Sequence, residues 1–263
     1  MRRESFETPG RLLLNVRIPS GRIDLETVEG SETVVELDAT PEIEEQTRIE
    51  LRPRGDGHEV SVAYDKPFGF LRGLRGDIRL RVTAPQGADV EVSTASADVE
   101  GRGTFGALDV NCASGDVSFD QVQGSADVNS ASGDVKLSRV DDALTVNTAS
   151  GDLDVGYLGG SGKVRSASGD VSIEEAAGSL KIQTASGDIE VGSVSEGEVS
   201  LQTASGDVEV GVKKGSKLWI DAKSMSGETT SELEIGDVPP DGEGPRVEVR
   251  ATTMSGDIRV TRA

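Results

Sequence analysis

The chain has little of what most enzymes rely on. One cysteine, Cys112, excludes a disulfide within the chain. A cysteine nucleophile would need a neighbouring base, and the one histidine on offer, His58, lies in the N-terminal region. No His/Cys cluster of zinc-site type occurs, no Gly-x-x-x-x-Gly-Lys phosphate loop and no Gly-x-Ser-x-Gly elbow. Aromatic residues are 3% of the 263, so the core must be built from thin aliphatic layers. The 33 glycines show no Gly-X-Y period, which excludes collagen. Apolar runs are short: Leu12-Leu13-Leu14 is far below the length that spans a bilayer. The opening residues carry no apolar leader, so the expected location is the cytoplasm, or the cell envelope or surface if a leader has been cleaved from a precursor. Positive charge is scarce as well. With 27 Lys and Arg against 47 Asp and Glu, the net charge is −20, which disfavours nucleic acid or an anionic bilayer as partner.

What is present is a phrase that returns. Ala-Ser-Ala-Asp-Val stands at 95–99 and Ala-Ser-Gly-Asp-Val at 113–117. It recurs, ending in Val, Leu or Ile, at 131–135, 149–153, 167–171, 185–189 and 204–208. Its aspartates are Asp98, Asp116, Asp134, Asp152, Asp170, Asp188 and Asp207, spaced by 18 residues five times and then by 19. A fixed period of this size marks a repeat architecture. Between phrases, apolar and polar residues alternate: Val117, Phe119, Val122, Ala126, Val128 and Ala131 in one unit, Val135, Leu137, Val140, Leu144, Val146 and Ala149 in the next. That period of 2 places two short strands in each unit, with glycine turning the chain between them. A single unit has one apolar face and cannot bury it alone, whereas stacked units bury a continuous ladder. The expected fold is therefore all-β, a β-solenoid of stacked strand repeats with 18-residue coils. A sandwich of long antiparallel strands is the alternative, but it does not require the same phrase at the same offset.

The aspartate ladder is the most distinctive candidate site. Carboxylates stacked about 4.8 Å apart repel unless something answers them. Either backbone N–H groups of the same or the next turn donate to them, or cations such as calcium sit between coils. The nonapeptide calcium repeat has a second glycine where serine stands here, so turn formation is the expectation and no metal is assigned. Cys112 precedes the phrase in a file with Thr94, Ser130, Thr148, Ser166, Thr184 and Thr203, and reads as one small residue among others. The mixed file Asn129, Asn147, Arg165, Gln183 and Gln202 does not form a lattice that would match ice.

Residues 1–90 show strands without the strict period and are expected to form an antiparallel β cap continuous with the repeats. Strand patterns run over Arg11–Ile18, Arg22–Leu25, Thr33–Leu37, Thr47–Leu51, Val60–Tyr64 and Asp77–Val82, with turns at Pro41, Arg54–Gly57 and Asp65–Pro67. Regular coils fill 91–211, and degenerate repeats with a C-terminal cap fill 212–263. Two places stand out as contact candidates. Lys66 to Arg75 sets Phe68, Phe70 and Leu71 among cations, and could dock on a partner or membrane surface or fold back as an end plug. Trp219 follows a basic patch, Lys213, Lys214 and Lys217, and alternation turns it outward if Leu218 and Ile220 point inward.

Three features together carry a family resemblance: the repeated phrase, the lead-in Val82 to Val92, and Pro-Ser-Gly-Arg-Ile-Asp-Leu at 19–25. Over about Gly10 to Val260 the chain resembles the bacterial family of unknown function with β-strand repeats whose members are named as adhesins, part of the wider toast-rack group. The resemblance implies a stacked β architecture without a known catalytic site, often accompanying membrane proteins of envelope-stress systems. It transfers no functional residues, because the motif is structural. The expected function is a non-enzymatic interaction module: a rigid acidic scaffold, without cofactor, that binds a protein partner or itself. The alternatives are a surface adhesin or ligand-binding repeat protein, calcium-dependent if cations occupy the ladder, and a carboxylate-based β-helix hydrolase, which would need a substrate cleft.

Overall fold

The structure of the chain, a computed structural model, describes residues 1–65, 78–231 and 244–263. These fall into two compact units, residues 1–133 and 134–263. Each is a β-solenoid-like stack of two facing sheets, as the period requires.

In the first unit the strands are β1 (Arg2–Glu7), β2 (Leu12–Arg17), β3 (Ser20–Val28), β4 (Glu32–Asp38), β5 (Thr47–Arg54) and β6 (Gly57–Tyr64), then β7 (Arg79–Pro85), β8 (Asp89–Thr94), β9 (Ser96–Phe105), β10 (Leu108–Ser114), β11 (Val117–Val122) and β12 (Ala126–Ser132). One sheet runs β1-β4-β7-β3-β9-β11 and the other β5-β6-β2-β8-β10-β12. The expected antiparallel pairing of the N-terminal region is found at its outer strands, β1 with β4, β4 with β7, and β5 with β6. Inward of these, β2 and β3 pair in parallel with β8 and β9 as coils do. The degenerate phrase at Ser20 is thus a true rung: Ser20 pairs with Ser96, Gly21 with Ala97 and Ile23 with Val99. At Pro41, where the sequence pattern predicts a turn, the chain forms a short helix, α1 (Pro41–Gln46). Proline suits the first helical turn, Glu42 and Glu44 complement its positive end, and the buried Ile43 ties it down.

The second unit has β13 (Val135–Val140), β14 (Leu144–Ser150), β15 (Leu153–Leu158), β16 (Gly162–Ser168), β17 (Val171–Ala176), β18 (Leu180–Ser186) and β19 (Ile189–Val194). There follow β20 (Gly197–Ser205), β21 (Val208–Val212), β22 (Lys217–Ser224), β23 (Thr229–Ser231), β24 (Arg246–Ser255) and β25 (Ile258–Arg262). Its sheets run β13-β15-β17-β19-β21-β25-β23 and β14-β16-β18-β20-β24-β22. Sequence order and spatial order part company at the end. The C-terminal coil, β24 with β25, lies between the coil β20–β21 and the coil β22–β23 that precedes it in the chain.

Parallel sheets are usually covered on both faces. Here each strand instead alternates a buried and an open position, as in β18, where Leu180, Ile182 and Thr184 are buried and Lys181 and Ala185 are not. The inner faces form the aliphatic core foreseen from the pattern: Val117, Phe119, Val128, Val135, Leu137, Val146, Ile189 and Val191 are all buried. Phe105 meets Phe119 edge to face at 5.2 Å in the first unit. One detail differs. Ala131, Ala149 and Ala204, which continue the apolar series in the sequence, are exposed, because the preceding Ser or Thr takes the inward place at the corner. The second unit's outermost coil is flanked by Lys213, Lys214, Lys217 and Lys223, a common means of blunting a strand edge.

The inserted coil generates a prediction. β22 and β23 find their strand partners only in β24 and β25 among the described residues. Ending the chain after Gly244 should therefore unfold residues 217–231 together with the removed coil. Amide hydrogen exchange in the 217–231 segment should rise to unstructured rates, and retained protection there would contradict the pairing.

Candidate functional site

The Ser-Gly-Asp corner is built the same way in coil after coil. In the second unit Gly169 N–H donates to Ser186 O at 3.2 Å, and Val171 N–H to Asp188 O at 2.9 Å. Between them the Asp188 N–H lacks a main-chain acceptor and is taken by Asp170 Oδ1 at 2.8 Å. The pattern repeats at Asp134 with Asp152 N (2.9 Å), Asp152 with Asp170 N (2.9 Å), and Asp188 with Asp207 N (2.8 Å). It then follows space rather than sequence: Asp207 accepts from Asp257 N and Asp257 from Glu228 N, both at 2.7 Å. In the first unit Asp98 accepts from Asp116 N at 3.2 Å. Each carboxylate thus stands in for a backbone carbonyl, one coil removed. Of the two ways to answer the ladder's repulsion, the structure uses hydrogen bonds, and it draws them from the next coil.

The glycine is required by contact. Gly169 has φ +125°, and a Cβ there would sit 2.2 Å from Gly151 O. A residue without a side chain lets this corner approach its neighbour to one strand spacing, although Ala97 holds the equivalent position in the first phrase.

Among the described residues no group of three or more His, Cys, Asp or Glu side chains is arranged to hold a metal ion. Cys112 lies buried in register between Thr94 and Ser130, in the small-residue file assigned to it. Burial pushes its thiol pKa up and a backbone hydrogen bond at Ser114 offsets this in part, while the Asp98 and Asp116 charges push it further up. A thiol held protonated is a poor nucleophile. The neighbouring hydroxyls serve the corner: Thr184 Oγ1 donates to Ser186 O at 3.1 Å and Thr203 Oγ1 to Gly187 O at 3.3 Å.

The contact candidates divide. Phe68, Phe70 and Leu71 lie outside the described residues. Trp219 is 46% exposed on β22, with the Arg250 guanidinium 5.6 Å from its ring centre. Arg250 is held in turn by Glu198 and Glu248 at 2.9 and 2.5 Å. The structure brings forward two residues within the degenerate repeats of 212–263. Met225 and Met254, 81% and 56% exposed, occupy the position that is alanine in the seven phrases from Ala95 to Ala204. The register of β22 on β24, with Ser224 opposite Thr253, sets these methionines on adjacent rungs. Aligning every phrase on its Ser-Gly pair would have exposed the substitution.

Two predictions follow from the corner. Asp170→Ala removes the acceptor for Asp188 N–H and should cost about 1 kcal/mol, whereas Asp170→Asn keeps an acceptor oxygen and sheds like-charge repulsion. That repulsion is on the order of 1 kcal/mol per neighbouring pair at the dielectric of water. Denaturant midpoints should rank Asn at or above wild type and Ala below it; Asn falling as far as Ala would refute the acceptor role. Gly169→Ala should destabilise by about 2 kcal/mol or more, through strain at positive φ and the clash with Gly151 O, against an exposed control, Ala167→Ser, that leaves the midpoint unchanged.

A search of the curated proteins gives no match. Among solved structures the chain is similar to a putative adhesin from Bacteroides fragilis, at 12% identity over 100% of this chain and 96% of that one, with a TM-score of 0.44. It is similar to a putative adhesin from Parabacteroides distasonis, at 10% identity over 98% and 96% with a TM-score of 0.42. A putative cell adhesion protein from Clostridium sporogenes aligns at 12% identity over 100% and 99%, with a TM-score of 0.29. A family profile described as Toastrack DUF4097 matches residues 12–163 and again 159–261, nearly the whole chain. The chain belongs to the Toastrack DUF4097 family.

Proposed function

We propose that this chain is a non-enzymatic interaction module, a stiff acidic β-repeat scaffold that binds a protein partner in connection with the cell envelope. One observation carries the reading. The residues that define the repeat are spent on coil-to-coil bonds, while the last two rungs in space replace the small alanine of the phrase with exposed Met225 and Met254 and set Trp219 on the outer face. Tryptophan is a frequent anchor of protein interfaces, and methionine adapts to irregular apolar surfaces. The net charge of −20 favours a partner whose docking face is neutral or basic. The link to the envelope is taken from the family likeness. No helix among the described residues is long and apolar enough to cross a membrane. A calcium-dependent variant draws less support, since Oδ1 of Asp134, Asp152, Asp170 and Asp188 each accepts a backbone N–H.

The test is affinity capture from membrane and soluble fractions of the source cells with wild type and with W219A/M225A/M254A, in calcium and in chelator. The expected result is one protein recovered in near-stoichiometric amount by wild type in both buffers and at least about tenfold less by the triple variant, since interface hot spots cost about 2 kcal/mol when truncated. Recovery unaffected by the triple variant would sink the Trp219 surface. A glycan retained only in calcium would replace the reading with a calcium-dependent adhesin.

A further inference from the structure

Outward rows in the two units carry opposite charge on the same ruler. In the first unit, on the sheet containing β8, β10 and β12, Glu91 stands directly opposite Asp109 and Asp109 opposite Asp127. Three carboxylates therefore follow one another at about one strand spacing, 4.8 Å. None of them is in an ion pair among the described residues. Asn111 and Asn129 donate amide hydrogens to Asp109 and Asp127 at 2.8 Å, which orients the carboxylates and leaves their charge in place. Arg17 stands a row away, opposite Ser93.

In the second unit, on the sheet containing β16 and β18, Lys163 stands directly opposite Lys181, and Arg165 shares their face two residues along β16. All three are exposed, and none is in an ion pair among the described residues. On the same sheet Arg250 is engaged with Glu198 and Glu248, and Lys223 with Asp221 at 2.9 Å. Like charges set directly across a strand pair destabilise a sheet. A bare basic trio on a chain of net charge −20 therefore adds nothing to the fold that polar residues would not supply more cheaply.

We infer that these faces bind one another between copies: the Lys163–Arg165–Lys181 face of one molecule docks on the Glu91–Asp109–Asp127 face of a second. The second copy is the occupant that the charges favour, because the matching acidic face exists on this chain and its charges repeat at the same strand spacing as the lysines. The contact goes beyond the interaction-module reading, uses none of Trp219, Met225 or Met254, and is measured on pure protein without any other partner. It is electrostatic and surface-exposed, so salt weakens it.

Sedimentation velocity of the full chain at low salt and at about 0.5 M salt tests it. Expected is a concentration-dependent mass above the monomer at low salt that returns to the monomer at high salt. K163E/K181E alone and D109K/D127K alone should each remain monomeric at low salt, and an equimolar mixture of the two should regain the higher mass. K163Q/K181Q should weaken association at least about tenfold. Thermal melts matching wild type confirm that the variants are folded, and W219A/M225A/M254A should self-associate as wild type does. A monomer at low salt, an assembly indifferent to salt or to K163E/K181E, or a mixture that fails to associate would each overturn the inference. So would a monomer that binds a sulfated polysaccharide through Lys163 and Lys181, which would assign the patch to a soluble polyanion.

Discussion

At each corner a single side-chain oxygen closes the ladder between one coil and the next. At the Ser-Gly-Asp corner the backbone serves the glycine and the residue after the aspartate, and the aspartate's own N–H is left for Oδ1 of the neighbouring coil. That bond keeps the ladder unbroken where two strands meet. Everything else depends on the register it holds. Val171 lies over Ile189 and Ile173 over Val191 on the inner face while adjacent corners stay one strand spacing apart, a spacing that glycine permits because an added Cβ would collide with the carbonyl of the glycine one coil away.

The carboxylate also carries a burden. Stacking charges of one sign is unfavourable, and an asparagine would make a similar bond without the repulsion. Acidity at the corners is therefore a property the chain displays outward as well as a structural device. The outer sheet faces are freer to vary, since their side chains touch no core. In the second unit that freedom appears as Lys163 opposite Lys181 and as Trp219 beneath Arg250. In the first it appears as the row Glu91, Asp109 and Asp127. A repeat protein of this kind divides its side chains by parity along each strand: one inward for stability, the next outward and free to vary.

Legibility in the sequence followed the same division. The inward file announced itself through period 2 and the 18-residue spacing, and the residues it named are the buried ones. The alanine of the phrase was the exception, counted as core from its chemistry although the corner turns it outward. The helix at Pro41–Gln46 escaped because six residues are too few to show a helical period, and its fixed point is one buried isoleucine. Met225 and Met254 were visible as letters, but nothing in one chain's text says that their rungs are the last two in space.

The sequence by itself determined the repeat, the strand alternation, the glycine turn and the acidic ladder, because each is a local rule restated in every coil. Only the tertiary structure decided the order in which coils stack. Each corner offers the same donor and acceptor, so the C-terminal coil fits between Gly197–Val212 and Lys217–Ser231 as well by local chemistry as it would beyond them. Where every rung presents the same bonds, the sequence can specify the rung, but the choice among equivalent slots belongs to the packing of the whole unit.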